Sequence, residues 1–206
     1  MAVEILERPA LHHTTEVPVP LPLGASWRKV MMWAFIITDG LLFAGFLASY
    51  GYARLMSAHW PDQQDVFSLG YLAAMTFVLI SSSATMASAV EAARAQQWKV
   101  VTRFVLLTIA GGALFLGMQA YEWSHVIGEG ATLTRNSWGD PAFGSYFFLL
   151  TGFHGSHVLT GLIVLGVTAV HARRRTSNPE GIEIAGLYWH FVDLVWVFIF
   201  TLFYLV

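Results

Sequence analysis

Cysteine is absent from the chain, which excludes disulfides, thiolate metal sites and iron–sulfur clusters. Charge is scarce as well: Asp, Glu, Lys and Arg together make up 12% of the residues, about half of what a water-facing surface carries. A net charge of −2 provides no excess of cations for a polyanion, so no nucleic-acid partner is expected. Phosphate-binding glycine loops, nucleophile triads and internal repeats are all missing from the sequence. The first 28 residues lack the apolar core of a cleavable signal peptide. They hold His12, His13, three glutamates and four prolines, the composition of a flexible tail.

What the chain has instead is apolar sequence, 56% of its 206 residues, gathered in uninterrupted blocks. A bilayer core about 30 Å thick demands roughly 20 apolar residues of helix, and five blocks reach that length. They predict helices over about 30–53, 66–90, 103–124, 142–171 and 184–206. The fold class is therefore all-α: a polytopic membrane protein, one five-helix bundle over 29–206 behind a tail at 1–28. The fourth helix is longer than a crossing needs, so tilt or protrusion is expected. Gly128, Gly130, Gly139, Asp140 and Pro141 mark the loop before it, and Asn178-Pro179-Glu180-Gly181 reads as the last turn. Nine of the eleven Lys and Arg (Arg8, Arg28, Lys29, Arg94, Lys99, Arg103 and Arg173 to Arg175) fall on one side, with Arg54 and Arg135 opposite. That asymmetry puts the N-terminus in the cytoplasm and the C-terminus outside.

A charged group at mid-bilayer costs about 2.5–3.5 kcal/mol on insertion scales, so each one needs a partner or a purpose. Asp39 lies about ten residues into the first helix, near 15 Å deep, with Phe35, Phe43, Phe46 and Tyr50 on its side. Two readings are open: a protonated carboxyl hydrogen-bonded inside the bundle, or a group that exchanges protons. The fourth helix carries His154 and His157 three residues apart, with Gly161 on the same side. Gln119 and Glu122 sit together at the outer end of the third. On the last helix Trp189, His190, Asp193, Trp196 and Val197 share one face, while Phe191, Val195, Phe198 and Leu202 form a plain face for lipid. His190 and Asp193 lie near the depth of Asp39, so one buried polar cluster is expected, with Glu122 outside it. The histidines and acids suit a transition metal by ligand type, but no fixed ligand spacing accompanies them, so hydrogen bonding is expected and no metal site is assigned. Arg173, Arg174 and Arg175 read as a topology signal or as holders of a lipid phosphate.

Several of these stretches resemble one family. Tyr188-Trp-His-Phe-Val-Asp193-Leu-Val-Trp196 is similar to the signature near the end of subunit III of haem-copper terminal oxidases. Thr151-Gly-Phe-His154-Gly-Ser-His157-Val resembles a second hallmark, and Glu183, seven residues before His190, fits as well. Thr38-Asp39-Gly-Leu-Leu-Phe-Ala-Gly-Phe46 looks like the family's acid-plus-aromatic segment, with Asp as in the quinol-oxidising branch. Gln119-Ala-Tyr-Glu122 looks like the form common among cytochrome c oxidases. The likeness covers nearly everything after residue 28 and is to the short bacterial members that lack the first two of seven helices.

The resemblance implies an accessory subunit without haem or copper of its own, those lying in the partner catalytic subunit. It would pack directly on subunit I, with subunit II in the same complex, in the bacterial inner (plasma) membrane. It implies that Asp39 is a buried carboxyl near bound phospholipid, that Asp39, Glu122, His154, His157, His190 and Asp193 form the proton-linked or buried polar set, and that Trp189 joins the three arginines at lipid. Cytochrome c oxidase is the expected parent enzyme and a quinol oxidase the alternative. A haem-carrying membrane cytochrome, motivated by the paired histidines, and an independent proton-coupled carrier stand as more distant readings.

Overall fold

The computed structural model describes residues 26–135 and 137–205; of the expected tail, residues 1–25 lie outside the described residues. Five long helices follow in order: α1 (Trp27–Met56), α3 (Leu69–Arg94), α4 (Trp98–Gly128), α5 (Ala142–Arg173) and α6 (Pro179–Ile199). A single-turn helix, α2 (Gln63–Val66), interrupts the first link, and α6 runs on into a π-helical turn, Phe200–Leu205. All five long helices have the length and apolarity to cross a bilayer. Most run several residues past the limits that hydropathy sets, because the backbone keeps its hydrogen bonds after the side chains turn polar.

How the helices stop explains the short links. The backbone N–H of Gln97 donates to Ala92 O at 2.9 Å and that of Gln96 to Ala93 O at 3.0 Å, which closes α3 in a Schellman turn. Residues 174–176 close α5 in the same way, with Thr176 N–H donating to His171 O and Arg175 N–H to Ala172 O, both at 3.1 Å. Such turns put one residue in the left-handed region, ordinarily glycine, yet here Gln96 (φ 58°) and Arg175 (φ 55°) occupy it. The stretch at Asn178 is a helix start and not only a turn. The Asn178 side chain caps the Gly181 N–H at 3.1 Å and Pro179 takes the first helical position, where its missing N–H costs nothing.

α6 lies at the centre, lined by α3, α4, α5 and α1. In lipid there is little hydrophobic drive between helices, so close packing over small residues holds them. Trp189 of α6, fully buried, fills the space left by Gly112 of α4 and Gly161 of α5. A Cβ on Gly111 would meet Ser82 Cβ of α3 at 2.7 Å, so α3 and α4 run equally close. α1 lies against α6 and α5 and is the least enclosed helix, with only Phe43 and Tyr50 buried. Gly40 of α1 sits over Phe191, where a Cβ would be 3.6 Å from the ring. Phe191 and Val195 are therefore buried, and the exposed stripe of α6 and the π-helical turn is Leu194, Phe198 and Leu202. The expected lipid face is rotated from its predicted position because α1 covers part of it.

The two ends differ in chemistry. Where α1 and α6 begin, Glu183 accepts from Lys29 (2.9 Å) and Arg94 (3.2 Å), joining α1, α3 and α6, and Ser26 hydrogen-bonds Glu180. The opposite end is plugged by rings: Phe143 stacks on Phe203 (5.5 Å between centroids) and Phe67 on Phe147 (5.5 Å). There the Asp140 N–H donates to His59 O at 3.2 Å, and a Cβ on Gly139 would meet that same carbonyl at 2.5 Å, so position 139 admits only glycine at this close approach.

Gly112→Ala would set a methyl 2.4 Å from Trp189 Cη2. Overpacking of this kind costs about 1–3 kcal/mol. The thermal midpoint of the detergent-purified protein should fall, and Trp189→Phe in the same chain should recover part of the loss; an unchanged midpoint would mean that the indole does not fill this gap.

Candidate functional site

The polar residues of the spanning region assemble into three contacts. In the first, Asp39 of α1 faces His157 of α5, with Oδ2 and Nε2 3.4 Å apart and the side chains 10% and 16% exposed. At that separation the contact is an ion-pair distance, longer than an ordinary hydrogen bond. His157 Nδ1 lies 2.9 Å from Phe153 O. A carbonyl only accepts, so Nδ1 carries a proton, and the facing Nε2 and carboxyl together can hold one more. The rings of Phe43 and Phe153 lie against the imidazole at 5.5 and 4.7 Å and shield it from lipid and water. The Tyr188 hydroxyl donates to His157 O at 3.1 Å, tying the same turn of α5 to α6.

The second contact runs along α6 and α3. The Trp189 indole donates to Ser82 Oγ at 3.1 Å, His190 Nδ1 lies 2.6 Å from Ser83 Oγ, and the Trp196 indole donates to Thr76 Oγ1 at 3.0 Å. Ser83 also lies beside the Asp193 carboxyl. Helical spacing brings these together: Thr76 and Ser83 are two turns apart, as are Trp189 and Trp196. The hydroxyl-rich second block of the sequence thus supplies partners for the tryptophans as well as for the acid and imidazole, which only the heptad spacing of Thr76 and Ser83 could have foretold.

The third contact is at the opposite end. Buried Glu122 accepts from Gln119 Nε2 at 2.8 Å and from the Tyr204 hydroxyl at 3.1 Å. Tyr204 belongs to the π-helical turn that closes the chain. Nothing in the sequence marks it as the carboxyl's partner.

The expectation of one cluster joining Asp39 to His190 and Asp193 is corrected by these contacts. α1 covers the side of α6 that bears Phe191, and His190, one residue earlier and about 100° around the helix, turns to α3. Asp39 meets α5 instead. His154 does not join His157, for it points inward, fully buried, with its ring 5.2 Å from Trp196 and 5.8 Å from Phe115. Neither of its nitrogens has a hydrogen-bond partner among the described residues. The expectation that Trp189 meets lipid is corrected too: it has no exposed surface, because the glycines of α4 and α5 draw it into the core. Arg173 and Arg175 line a cavity with Lys99 and Arg103 of α4, and Arg174 is not part of that lining. Among the described residues, no three His, Asp or Glu side chains gather as a metal would require.

Fold and site together define a polytopic helical membrane protein whose acids and imidazoles tie helices to one another. Comparison with known proteins narrows this class. The family model for Cytochrome c oxidase subunit III matches residues 11–206. The chain is 34% identical to Cytochrome c oxidase subunit 3 of Thermostichus vulcanus over 200 residues, 95% of this chain and 92% of the relative. It is 34% identical to Cytochrome c oxidase subunit 3 of Alkalihalophilus pseudofirmus over 176 residues, 84% of each. It is also 37% identical to Cytochrome bo(3) ubiquinol oxidase subunit 3 of Pseudomonas aeruginosa over 182 residues, 84% of this chain and 82% of the relative. The chain belongs to the subunit III family of the haem-copper terminal oxidases. It is thus a subunit of a terminal oxidase, associated with the membrane and with other oxidase subunits, and its family has no redox centre of its own.

The indole–hydroxyl contacts give a direct energetic test. Trp196→Phe removes a donor from Thr76, whose own hydroxyl still donates to Leu72 O at 2.9 Å. A double-mutant cycle with Thr76→Val should give a coupling of about 0.6 kcal/mol, and no more than roughly 1.7, the range for hydrogen bonds between spanning helices. Reversible unfolding in mixed micelles measures it, and zero coupling would remove this contact from the account.

Proposed function

We propose that this chain is the accessory subunit III of a proton-pumping cytochrome c oxidase of the bacterial plasma membrane. It packs directly on catalytic subunit I, with subunit II in the same complex and its own N-terminus in the cytoplasm. Its role is to steady the catalytic subunit and to support proton uptake, with phospholipid held at the Arg173–Arg175 end of α5. The observation that carries the reading is the Asp39–His157 contact: a carboxyl and an imidazole from two helices, 3.4 Å apart at the edge of the bundle. Such a pair can take up and release a proton without electron transfer. The excess of Lys and Arg on the side where α1 and α6 begin supports the orientation.

A quinol oxidase is the second reading, favoured by aspartate at position 39 and by quinol oxidase names among relatives of equal similarity. Purification through a tag on this chain separates the two. A copurifying partner with a copper-binding domain outside the membrane supports cytochrome c as donor; a partner subunit lacking copper there supports quinol.

Asp39→Asn should leave assembly and haem content intact and slow proton uptake mildly. Oxygen reduction should fall by less than about tenfold, well below the roughly 100-fold that a proton-transferring group at a reacting centre contributes. His157→Gln should give the same phenotype, and the double variant no more than either single one. Complete loss of oxygen reduction in an assembled complex would contradict an accessory role.

A further inference from the structure

We infer that Glu122 is a second proton-binding site, exchanging with water through the Tyr204 hydroxyl at the end of the bundle opposite Glu183. This goes beyond the role proposed for Asp39 and His157 and does not depend on it. Gln119 Nε2 at 2.8 Å and the Tyr204 hydroxyl at 3.1 Å both donate to Glu122 Oε2. Among the described residues no Lys, Arg or His makes an ion pair with this carboxyl. The titratable groups that interact with it are two phenols, Tyr71 of α3 and Tyr204 of the π-helical turn. On α5, His154 is turned to Trp196 and to Phe115, which lies one turn along α4 from Gln119. A carboxylate buried without a cation carries a large desolvation cost, and a bound proton removes it.

Gln119 shows how that proton is accommodated. It is 5% exposed, and its Oε1 has no hydrogen-bond partner, a costly state for a buried acceptor. An amide that donates to one oxygen of a carboxyl can accept from a proton on the other, closing a ring of two hydrogen bonds. An ionised carboxylate has no such proton to give. The neutral acid therefore satisfies Gln119 and the ion does not. A second amide at position 122 would tie the helices equally well, but only a carboxyl can also let the proton go.

Tyr204 connects this carboxyl to water. It is itself buried, yet together with Gln63 and Leu205 it lines two adjoining cavities. One, of about 30 Å³, has room for a single water; the other, of about 330 Å³, is lined also by Arg54 and Asp62. Gln63 is held at this wall by Tyr50, whose hydroxyl accepts from Gln63 Nε2 and from Arg54 Nη1, both at 3.2 Å. Tyr204 occupies the π-helical turn, an uncommon conformation frequently found at functional sites. On uptake, water in the cavity gives a proton to Tyr204 Oη as the hydroxyl's own proton passes to Glu122; release reverses both transfers. One proton enters, one is held on the carboxyl, and the phenol ends as it began.

The test uses the purified oxidase complex in lipid nanodiscs and infrared difference spectra between acid and alkaline buffer. The C=O stretch of one protonated carboxyl should be missing from the Glu122→Gln spectrum and present in that of Asp39→Asn, which keeps failure here distinct from failure of the Asp39 reading. Gln119→Leu, which removes the amide oxygen, should move the same band to higher frequency. In D₂O the band should shift, and Tyr204→Phe should slow that exchange roughly a hundredfold, the least that a positioned proton-transfer group contributes. Each substitution is close in size to the residue it replaces, and an unchanged thermal midpoint verifies that each variant is folded. A Glu122→Gln spectrum identical to the wild type would overturn the proposal, and so would a Glu122 band that never shifts in D₂O, the sign of a sealed structural acid. Exchange in Tyr204→Phe as fast as in the wild type would remove the phenol from the route and overturn the site as described.

Discussion

Hydrocarbon offers no water to solvate a polar side chain, so an acid, imidazole or indole in a spanning helix is stabilised by a protein partner, and here most of those partners lie on another helix. That constraint orders this bundle. α6 carries the densest polar face, and it sits where the other four spanning helices can reach it. α3 answers its indoles and His190 with the hydroxyls of Thr76, Ser82 and Ser83, α5 answers Tyr188 with a backbone carbonyl, and α4 answers Tyr204 with Glu122. The glycines of α4 and α5 serve the same end by letting Trp189 lie flat in the middle. Polar satisfaction and close packing are thus one arrangement, achieved by pairing large hydrogen-bonding rings with the smallest residues on the facing helices.

The same arrangement separates support from function. The contacts of the Trp189 and Trp196 indoles with Ser82 and Thr76 of α3 are buried. Asp39 and His157 lie at the margin of the bundle, between the lightly enclosed α1 and α5, and retain some exposure. In the family to which the chain belongs, electron transfer is the task of other subunits. The chain itself is a slab of five long helices with an acid–imidazole contact at one edge.

Much of this was legible in the sequence. Five apolar blocks of crossing length gave the helices, and Asp39, Glu122, His154, His157, His190 and Asp193 stood out against the apolar background. Pairing was harder to read. Depth along a helix can be counted from sequence, which is why Glu122 was set apart, but azimuth relative to a neighbour cannot. Asp39 therefore fell in with His190 and Asp193 at its own depth, when the helix beside it is α5. The lipid face of α6 went astray for the same reason, since nothing in Phe191 or Val195 says that α1 lies over them. Helix ends were obscured by Gln96 and Arg175 in positions where glycine is the usual signal.

The central claim is that the ionisable groups sunk in this bundle hold helices and protons, while the redox metals belong to neighbouring subunits. His154, fully buried with neither nitrogen engaged, is the residue on which a contrary account would build. The most direct measurement is metal and haem content of the chain purified free of every other subunit, by elemental mass spectrometry for copper and iron and by the pyridine haemochrome spectrum. The account predicts a colourless protein with both far below one per chain. One haem or one copper ion bound per chain, lost on substitution of His154, would contradict it.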